Sequence, residues 1–369
     1  MQIRLQTLEH QQRALTALTH VFADVVLDDS SAMEANPVFD VTDRQITDNI
    51  ADLQAGLVQG VEAIPRPWRT RTDDGVLGVD VKMETGTGKT LVYTQMMYEL
   101  NRLYGFHKFI LLVPSTPIKE GTRSFITSGY ARRYFDDEYG SRLKLDLEVL
   151  DPQKRSKGRK MFPSAIASFV QASRLAKGHI TALLMTDGML QSKATMAATY
   201  DQTVMGMSSQ PYEALRQTRP IVIIDEPHRF RRENKAYKTV LEELHPQAII
   251  RFGATFPKNE KSGVMDYNNL VFNLGSVEAF NEQLVKGVSI QYPLDEAGES
   301  TRLRLTSISR SRPKTATFEN LDTHKKTTLH IGDSLGQADG DFAGITVAEV
   351  GKTRVPEIKS GVTLSNDQI

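Results

Sequence analysis

The sequence predicts an α/β fold: a mostly parallel sheet flanked by helices, followed by a small β-rich C-terminal segment. Three observations carry this. Between residues 76 and 292, short and nearly continuous apolar runs alternate with stretches of helical periodicity, the pattern of βαβ units whose strands are covered on both faces. One apolar run passes through a glycine-rich loop straight into a helical stretch, and another ends in two adjacent carboxylates. After Pro293 helical periodicity stops, and strand-like runs separated by Gly, Asp and Pro take over. The expected organisation is an N-terminal helix with an acidic insertion over residues 1–75, the α/β domain over 76–292, and a β-rich insert or the start of a truncated second domain over 293–369.

Taken in order, Leu8, Leu15, Leu18, Val21, Phe22 and Val25 recur at three- and four-residue spacings, which predicts an amphipathic helix over residues 8–27. From Asp28 to about Gly75 the chain turns acidic, with Asp28, Asp29, Glu34, Asp40, Asp43, Asp48 and Asp52, then Pro65 and Pro67 around Trp68. This reads as an irregular, inserted surface segment. Strands are expected at Val76–Lys82, Lys108–Val113, Leu145–Leu150, Ala182–Met185, Pro220–Ile224 and Ala248–Phe252. In the tail they are expected at Arg302–Ile308, Thr315–Phe318, Lys326–Ile331 and Ile345–Val350, with no helical stretch.

The first strand of the α/β region runs into Met83-Glu84-Thr85-Gly86-Thr87-Gly88-Lys89-Thr90 and then the helical sequence Leu91 to Leu103. Strand, glycine loop and helix arrive in the order a phosphate-binding loop requires. Glycines let the backbone curl so that successive N–H groups face phosphate oxygens, and the helix N-terminus adds partial positive charge. Lys89 then reaches the β- and γ-phosphates of a nucleoside triphosphate, while the Thr90 hydroxyl ligates magnesium. A glycine turn with a chance lysine is the bland alternative, and the strand–loop–helix context speaks against it. The run Ile221-Val222-Ile223-Ile224-Asp225-Glu226-Pro227-His228 ends a buried strand in two carboxylates. Open α/β sheets bind ligands at that end of their strands. Asp225 is read as the magnesium carboxylate, and Glu226 as the base that orients and deprotonates the attacking water. An isolated Asp-Glu pair is more often a solvated turn; four preceding apolar residues favour the catalytic reading. ATP and Mg2+ are thus the expected cofactors.

These motifs, together with Gly253-Ala254-Thr255-Phe256 after the strand Ala248–Phe252, resemble superfamily 2 helicases and translocases, which implies a RecA-like P-loop NTPase domain. Met83 stands where the usual phosphate loop has its first glycine, a departure that suits a helicase-type loop. The set METGTGKT, VPSTPIKEG at Val113–Gly121, IIDEPH, FGATF and AFNEQLVKG at Ala279–Gly287 is similar to the restriction subunit of type III restriction–modification enzymes. The resemblance covers about residues 76–292. It implies that His228 and Thr255 relay nucleotide state to a DNA track, and that Pro114, Ser115 and Thr116 contact one strand's phosphates. Thr186, with Asp187, matches the next such motif. Leu8-Glu9-His10-Gln11-Gln12 is similar to the segment whose glutamine reads adenine, with Gln11 the better candidate and Gln12 an alternative. The resemblance further implies DNA and a methyltransferase (Mod) subunit as partners, and places Gly86, Gly88, Thr85, Thr87, Lys89 and Thr90 around the nucleotide. The family's second motor domain, with its arginine-rich closing motif, and its nuclease domain are not matched by these motifs, and only the tail could hold either.

Composition narrows the remaining classes. Lys+Arg and Asp+Glu both total 45, so any polyanion contact must come from local patches. One such patch is the run Lys154, Arg155, Lys157, Arg159 and Lys160, which reads either as a solvated loop or as a phosphate contact. Arg229, Arg231 and Arg232 could pair with acids or with DNA. The sequence has no cysteine, which excludes disulfides, thiolate zinc sites and cysteine nucleophiles. No run of about 18 apolar residues appears and the start lacks a signal-peptide pattern, so a soluble, cytoplasmic protein is expected. Of the eight histidines, only His228 falls in a chemical motif, the others reading as structural or exposed. Asp341 with Glu357-Ile358-Lys359 imitates a nuclease pattern but reads as a solvated turn. A stand-alone superfamily 2 helicase fragment acting on RNA or DNA is the alternative function, and a nucleotide-binding module without turnover is a third.

Overall fold

The computed structural model describes residues 5–29, 32–64, 75–152, 161–173, 178–204, 208–258, 265–285, 303–309, 313–342, 345–349 and 357–358. The chain divides into two compact units, Met1–Gly287 and Val288–Ile369.

The first unit is built on a seven-stranded, wholly parallel sheet: β1 (Leu77–Met83), β2 (Lys108–Val113), β3 (Lys144–Val149), β4 (His179–Thr186), β5 (Ile221–Asp225), β6 (Ala248–Gly253) and β7 (Leu270–Leu274). Their spatial order is β3-β4-β2-β5-β6-β1-β7. β5 and β6 therefore lie between β1 and β2, and their C-terminal ends fall beside the loop that leaves β1. Alternate side chains of each strand enter opposite cores, as strand geometry dictates. Leu77, Val79, Val81, Phe109, Leu111 and Val113 face one core, whereas Ile110, Leu112, Leu183, Met185, Val222 and Ile224 face the other.

The first core is covered by α1 (Glu9–His20), α2 (Arg44–Ala55), α3 (Lys89–Tyr104), α4 (Thr116–Thr127) and α5 (Gly129–Tyr139). α1 buries Ala14, Leu15, Ala17 and Leu18, and its leucines alone are worth roughly 1.5–3 kcal/mol each. The helix is shorter than its periodicity predicts. It gives way at His20 to a turn in which Asp24 takes a left-handed φ of 58°, yet Val21, Phe22 and Val25 stay buried. The acidic stretch after it is corrected more deeply. Far from being irregular throughout, it contains α2, capped by the Asp43 carboxylate accepting from Gln45 N at 2.9 Å and burying Ile46, Ile50 and Leu53. Its acids occupy the outer face, so the composition masked an amphipathic helix.

Five of the six expected sheet strands begin within a residue or two of their predicted positions, and β4 starts three residues earlier, at His179. β7 was not expected. It docks on β1 through Asn269, whose Nδ2 donates to Gly78 O at 2.8 Å. α6 (Ser164–Gln171) and the helices Pro211–Gln217 and Lys235–Thr239 cover the other face.

The second unit holds the antiparallel strands β8 (Leu303–Ser309), β9 (Thr315–Asn320) and β10 (Lys326–His330) in the order β10-β9-β8. Their inner face packs Leu303, Ala316, Phe318 and Leu329 against Leu335 and Val347. β11 (Val347–Glu349) pairs with β12 (Glu357–Ile358). Short 3-10 turns at Leu335–Gln337 and Gly340–Phe342 are the helical elements described there. Among the described residues, no helix is long and apolar enough to cross a membrane.

Candidate functional site

Because every strand of the large sheet runs the same way, the expected motifs leave it at one edge. Strand β1 ends at Met83 and opens into the loop 84–88, β5 ends at Asp225, and β6 ends at Gly253. β2 ends at Val113, directly before Pro114, and β4 ends at Thr186, paired in register with Val113. Ser115 precedes α4 in extended conformation, and the Thr186 hydroxyl caps the helix Asp187–Leu190 by accepting from Met189 N at 3.3 Å. Thr255 lies exposed just past β6.

The loop owes its curl to two left-handed glycines, Gly86 at φ 87° and Gly88 at φ 91°. Side chains at such angles cost about 1–2 kcal/mol, which explains the residue choice. Thr87 folds inward, its hydroxyl donating to Glu84 O at 2.7 Å. The Glu84 carboxylate accepts from Thr85 N at 2.9 Å and from the Ser276 hydroxyl at 2.6 Å. Thr85 stays exposed.

Lys89 and Thr90 open α3. The Lys89 ammonium lies 3.4 Å from the Glu226 carboxylate, with 10% and 20% of the two side chains exposed. The other Glu226 oxygen is 3.2 Å from His228 Nδ1. Glu226 itself sits at φ 58°, a left-handed turn that lifts its side chain off the strand end, while its N–H donates to Phe252 O at 2.9 Å. Asp225 is buried, and its Oδ1 has no hydrogen-bond partner. Burial first, and then the Glu226 charge, push its carboxyl up to about 6, although Lys89 pulls the other way. A buried carboxylate oxygen without a donor is a strong acceptor, so the chemistry of Asp225 at this strand end fits a cation ligand. Beneath it, the buried Tyr93 hydroxyl meets Thr122 Oγ1 at 3.1 Å. Gly253 completes the turn because a methyl group there would collide with the Pro227 ring.

The adenine candidates separate in space. Gln11 is buried against the loop, its Nε2 donating to Thr87 O at 3.0 Å and its Oε1 accepting from Leu8 N at 2.9 Å, whereas Gln12 is exposed. The Gln11 amide occupies the space that a side chain at Gly88 would fill. His10, grouped with structural or exposed histidines on sequence alone, is buried with Nε2 2.8 Å from the same Thr87 carbonyl. Its place beside Gln11 in the segment Leu8–Gln12 was the available signal.

Other expectations fall elsewhere. The basic run Lys154 to Lys160 lies outside the described residues, as do the Asp341 side chain and Lys359. Arg229 is exposed, and Arg232 pairs with Asp266 at 2.6 Å. Among the described residues no group of three or more His, Cys, Asp or Glu side chains could hold a metal. One feature sequence reading missed is a buried ion pair beneath the site. Arg251 on β6 and Asp80 on β1 are register partners, both fully buried, joined by two bonds of 2.7 Å, and Arg251 also donates to Asp266 O at 2.6 Å.

The family model for the type III restriction enzyme Res subunit matches residues 4–258. The StyLTI Res subunit of Salmonella typhimurium strain LT2 is 38% identical over 357 residues, which is 93% of this chain and 32% of that protein. The EcoPI Res subunit of Escherichia phage P1 is 34% identical over 97% of this chain and 36% of its own length. The EcoP15I Res subunit of Escherichia coli is 34% identical over 94% of this chain and 35% of its own. The chain thus spans about a third of these relatives. Among solved structures, a nuclease-deletion mutant of the type ISP enzyme LlaGI in complex with a DNA substrate mimic aligns at TM-score 0.36 and 17% identity, over 57% of this chain and 19% of that one. The Hef helicase domain of Pyrococcus furiosus aligns at 0.34 and 15%, over 59% and 38%. The family model's span and the identity along nearly the whole chain make this protein a member of the type III restriction enzyme Res-subunit family.

Proposed function

We propose that this chain is the nucleotide-binding portion of a type III restriction motor, binding Mg-ATP on the loop 84–90 and hydrolysing it in step with DNA. The observation that carries the reading is the meeting of Lys89 and Glu226 at 3.4 Å, beside the partnerless Asp225 oxygen, where β1 and β5 end. In this reading Lys89 leaves Glu226 for the β- and γ-phosphates, which frees the carboxylate to take a proton from water. Asp225 and Thr90 would hold Mg2+, which when bound neutralises charge on the phosphate oxygens. Gln11 would read adenine, which requires it to release Thr87 O and Leu8 N, because both ends of its amide are engaged. His228 faces Glu226 and would relay nucleotide state. Thr255, Pro114, Ser115, Thr116 and Thr186 lie along the same sheet edge, on the track proposed for DNA. The Mod methyltransferase subunit is the protein partner expected for such a motor, and the cytoplasm its compartment.

The test is titration of the chain with a fluorescent Mg-ATP analogue, with Lys89→Ala beside it. Removal of the ammonium should weaken binding at least tenfold, the scale of one charge-assisted contact of about 1.5–3 kcal/mol. Equal affinity in both proteins would remove Lys89 from the site.

A further inference from the structure

The phosphate loop is braced from outside by two neighbouring side chains of α1, His10 and Gln11, which converge on the one carbonyl of Thr87 at 2.8 and 3.0 Å. Two donors saturate both lone pairs of that oxygen. The consequence lies in the peptide unit. A trans peptide is planar, with its C=O and N–H pointing opposite ways, so fixing Thr87 O toward α1 aims the Gly88 N–H away from α1, into the concave side of the loop. There it can meet a phosphate oxygen. A loop free to flip this peptide would present a carbonyl to the phosphate instead, and Gly88, at φ 91° and lacking a side chain, has the freedom to do so.

The two braces are not equivalent. If Gln11 reads the base, it must let go of Thr87 O, and one brace remains. We infer that His10 is a positioning residue for the phosphate loop: its Nε2–H holds the Thr87–Gly88 peptide in the phosphate-receiving orientation whichever base is bound and whether or not Gln11 has moved. His10 is suited to this by its burial at 1% exposure, which shields the bond from water, and by its place on α1. α1 is itself anchored to the end of the unit by Arg13, which pairs with Glu282 at 2.8 Å and with Glu62 at 2.5 Å. Gln11 then governs which base binds, and His10 governs whether any triphosphate binds. The division rests on the nucleotide reading above, but the orientation of the loop peptide does not.

The two can be tested apart. The chain is prepared with His10→Ala, His10→Phe, which keeps the ring without a donor, His10→Gln, whose amide nitrogen can take the place of Nε2, and Gln11→Ala. Binding of Mg-ATP, Mg-GTP and inorganic tripolyphosphate is measured by calorimetry, and amide hydrogen exchange across residues 85–90 is followed without ligand. The Ala and Phe variants at His10 should lose about 5- to 10-fold in affinity for all three ligands equally, the worth of one buried hydrogen bond. They should also speed exchange in the loop, with His10→Gln restoring both. Gln11→Ala should in addition flatten the preference for ATP over GTP, which none of the His10 variants should do. Tripolyphosphate affinity unchanged in both His10→Ala and His10→Phe would overturn the assignment, as would a loss confined to ATP. Should the parent chain bind no triphosphate, the nucleotide reading fails; unchanged loop exchange in the His10 variants would then separately refute the bracing role.

Discussion

Asp225→Asn should make the ligand-free chain more stable while abolishing its response to magnesium. The Asp225 carboxyl is pushed up to about 6 from 3.8, chiefly by burial and next by the Glu226 charge. A raised acid pKa means that the folded state holds the proton more tightly than the unfolded chain. Below about pH 4 the group is protonated in both states and contributes nothing. Between about pH 4 and 6 the unfolded chain releases its proton first, so stability falls as pH rises, and above about 6 the full penalty is present. Two units at 1.36 kcal/mol each put that penalty at about 3 kcal/mol. Asparagine keeps the shape without the charge. In a unit of this size, where 1 kcal/mol moves Tm by roughly 2–4 °C, the variant should melt about 5–10 °C above the parent at pH 7.5 and only about 2–4 °C above it at pH 4.5, where about 1 kcal/mol of the penalty has built up. Millimolar magnesium should raise the parent's Tm and leave the variant's unchanged, because a ligand stabilises only the state it binds. Differential scanning calorimetry of both proteins from pH 4.5 to 8 reads these quantities. A variant-minus-parent gap that is flat across that range would refute the burial argument, and equal stabilisation by magnesium would take Asp225 out of the cation site. The same reasoning requires the gap to widen in a Lys89→Ala background, since Lys89 is the group that offsets the penalty.

Three further outcomes follow from the same geometry. Glu226→Gln keeps the side chain's shape but cannot accept a proton, so in the full-length enzyme it should bind ATP at parental affinity and lose turnover by at least about 10²-fold; normal phosphate release would exclude its role as base. Arg251→Met strands the buried Asp80 carboxylate and should destabilise the chain by about 3–5 kcal/mol in urea unfolding, whereas adding Asp80→Leu should recover most of the loss; additive losses would show that the pair is not a unit. This chain alone should hydrolyse Mg-ATP near background with or without duplex DNA, because an arginine supplied across the domain cleft is worth about 10³–10⁵ in related NTPases; robust DNA-stimulated phosphate release would mean that the tail or a second copy supplies it.

Much of this site could be read from the sequence because its parts are local. A strand, two glycines and a helix start are consecutive in the chain, so METGTGKT carries its own geometry, down to the positive φ of Gly86 and Gly88. The acidic pair is equally local, since four apolar residues place Asp225 at the end of a buried strand. Likewise the parallel sheet, whose strands are covered on both faces, announces itself as runs such as Phe109–Val113. β7 escaped because Leu270–Leu274 is a run of only five residues interrupted by Asn273. α2 escaped because its acids dominate the composition of residues 28–75, while its buried face is only Ile46, Ile50 and Leu53 with two polar partners.

The unread part is made of contacts between residues remote in the chain. Asp80 and Arg251 are 171 residues apart, and each alone looks like a polar interruption of an apolar strand. Only the register of β1 against β6 turns them into a pair. That pairing has a physical necessity behind it. A charge in the middle of a two-sided sheet is tolerable only if a partner and further donors satisfy it, and Asp80 receives two Arg251 bonds and the Asn268 N–H. The two strands it joins are the ones that deliver the phosphate loop and the Gly253 turn. The clamp joins them in register at Asp80 and Arg251, and β5, which ends in the carboxylates facing Lys89, is the next strand beyond β6. No motif records the ion pair, because the loop is written in consecutive residues whereas the buried charge pair becomes visible only once the sheet order is known.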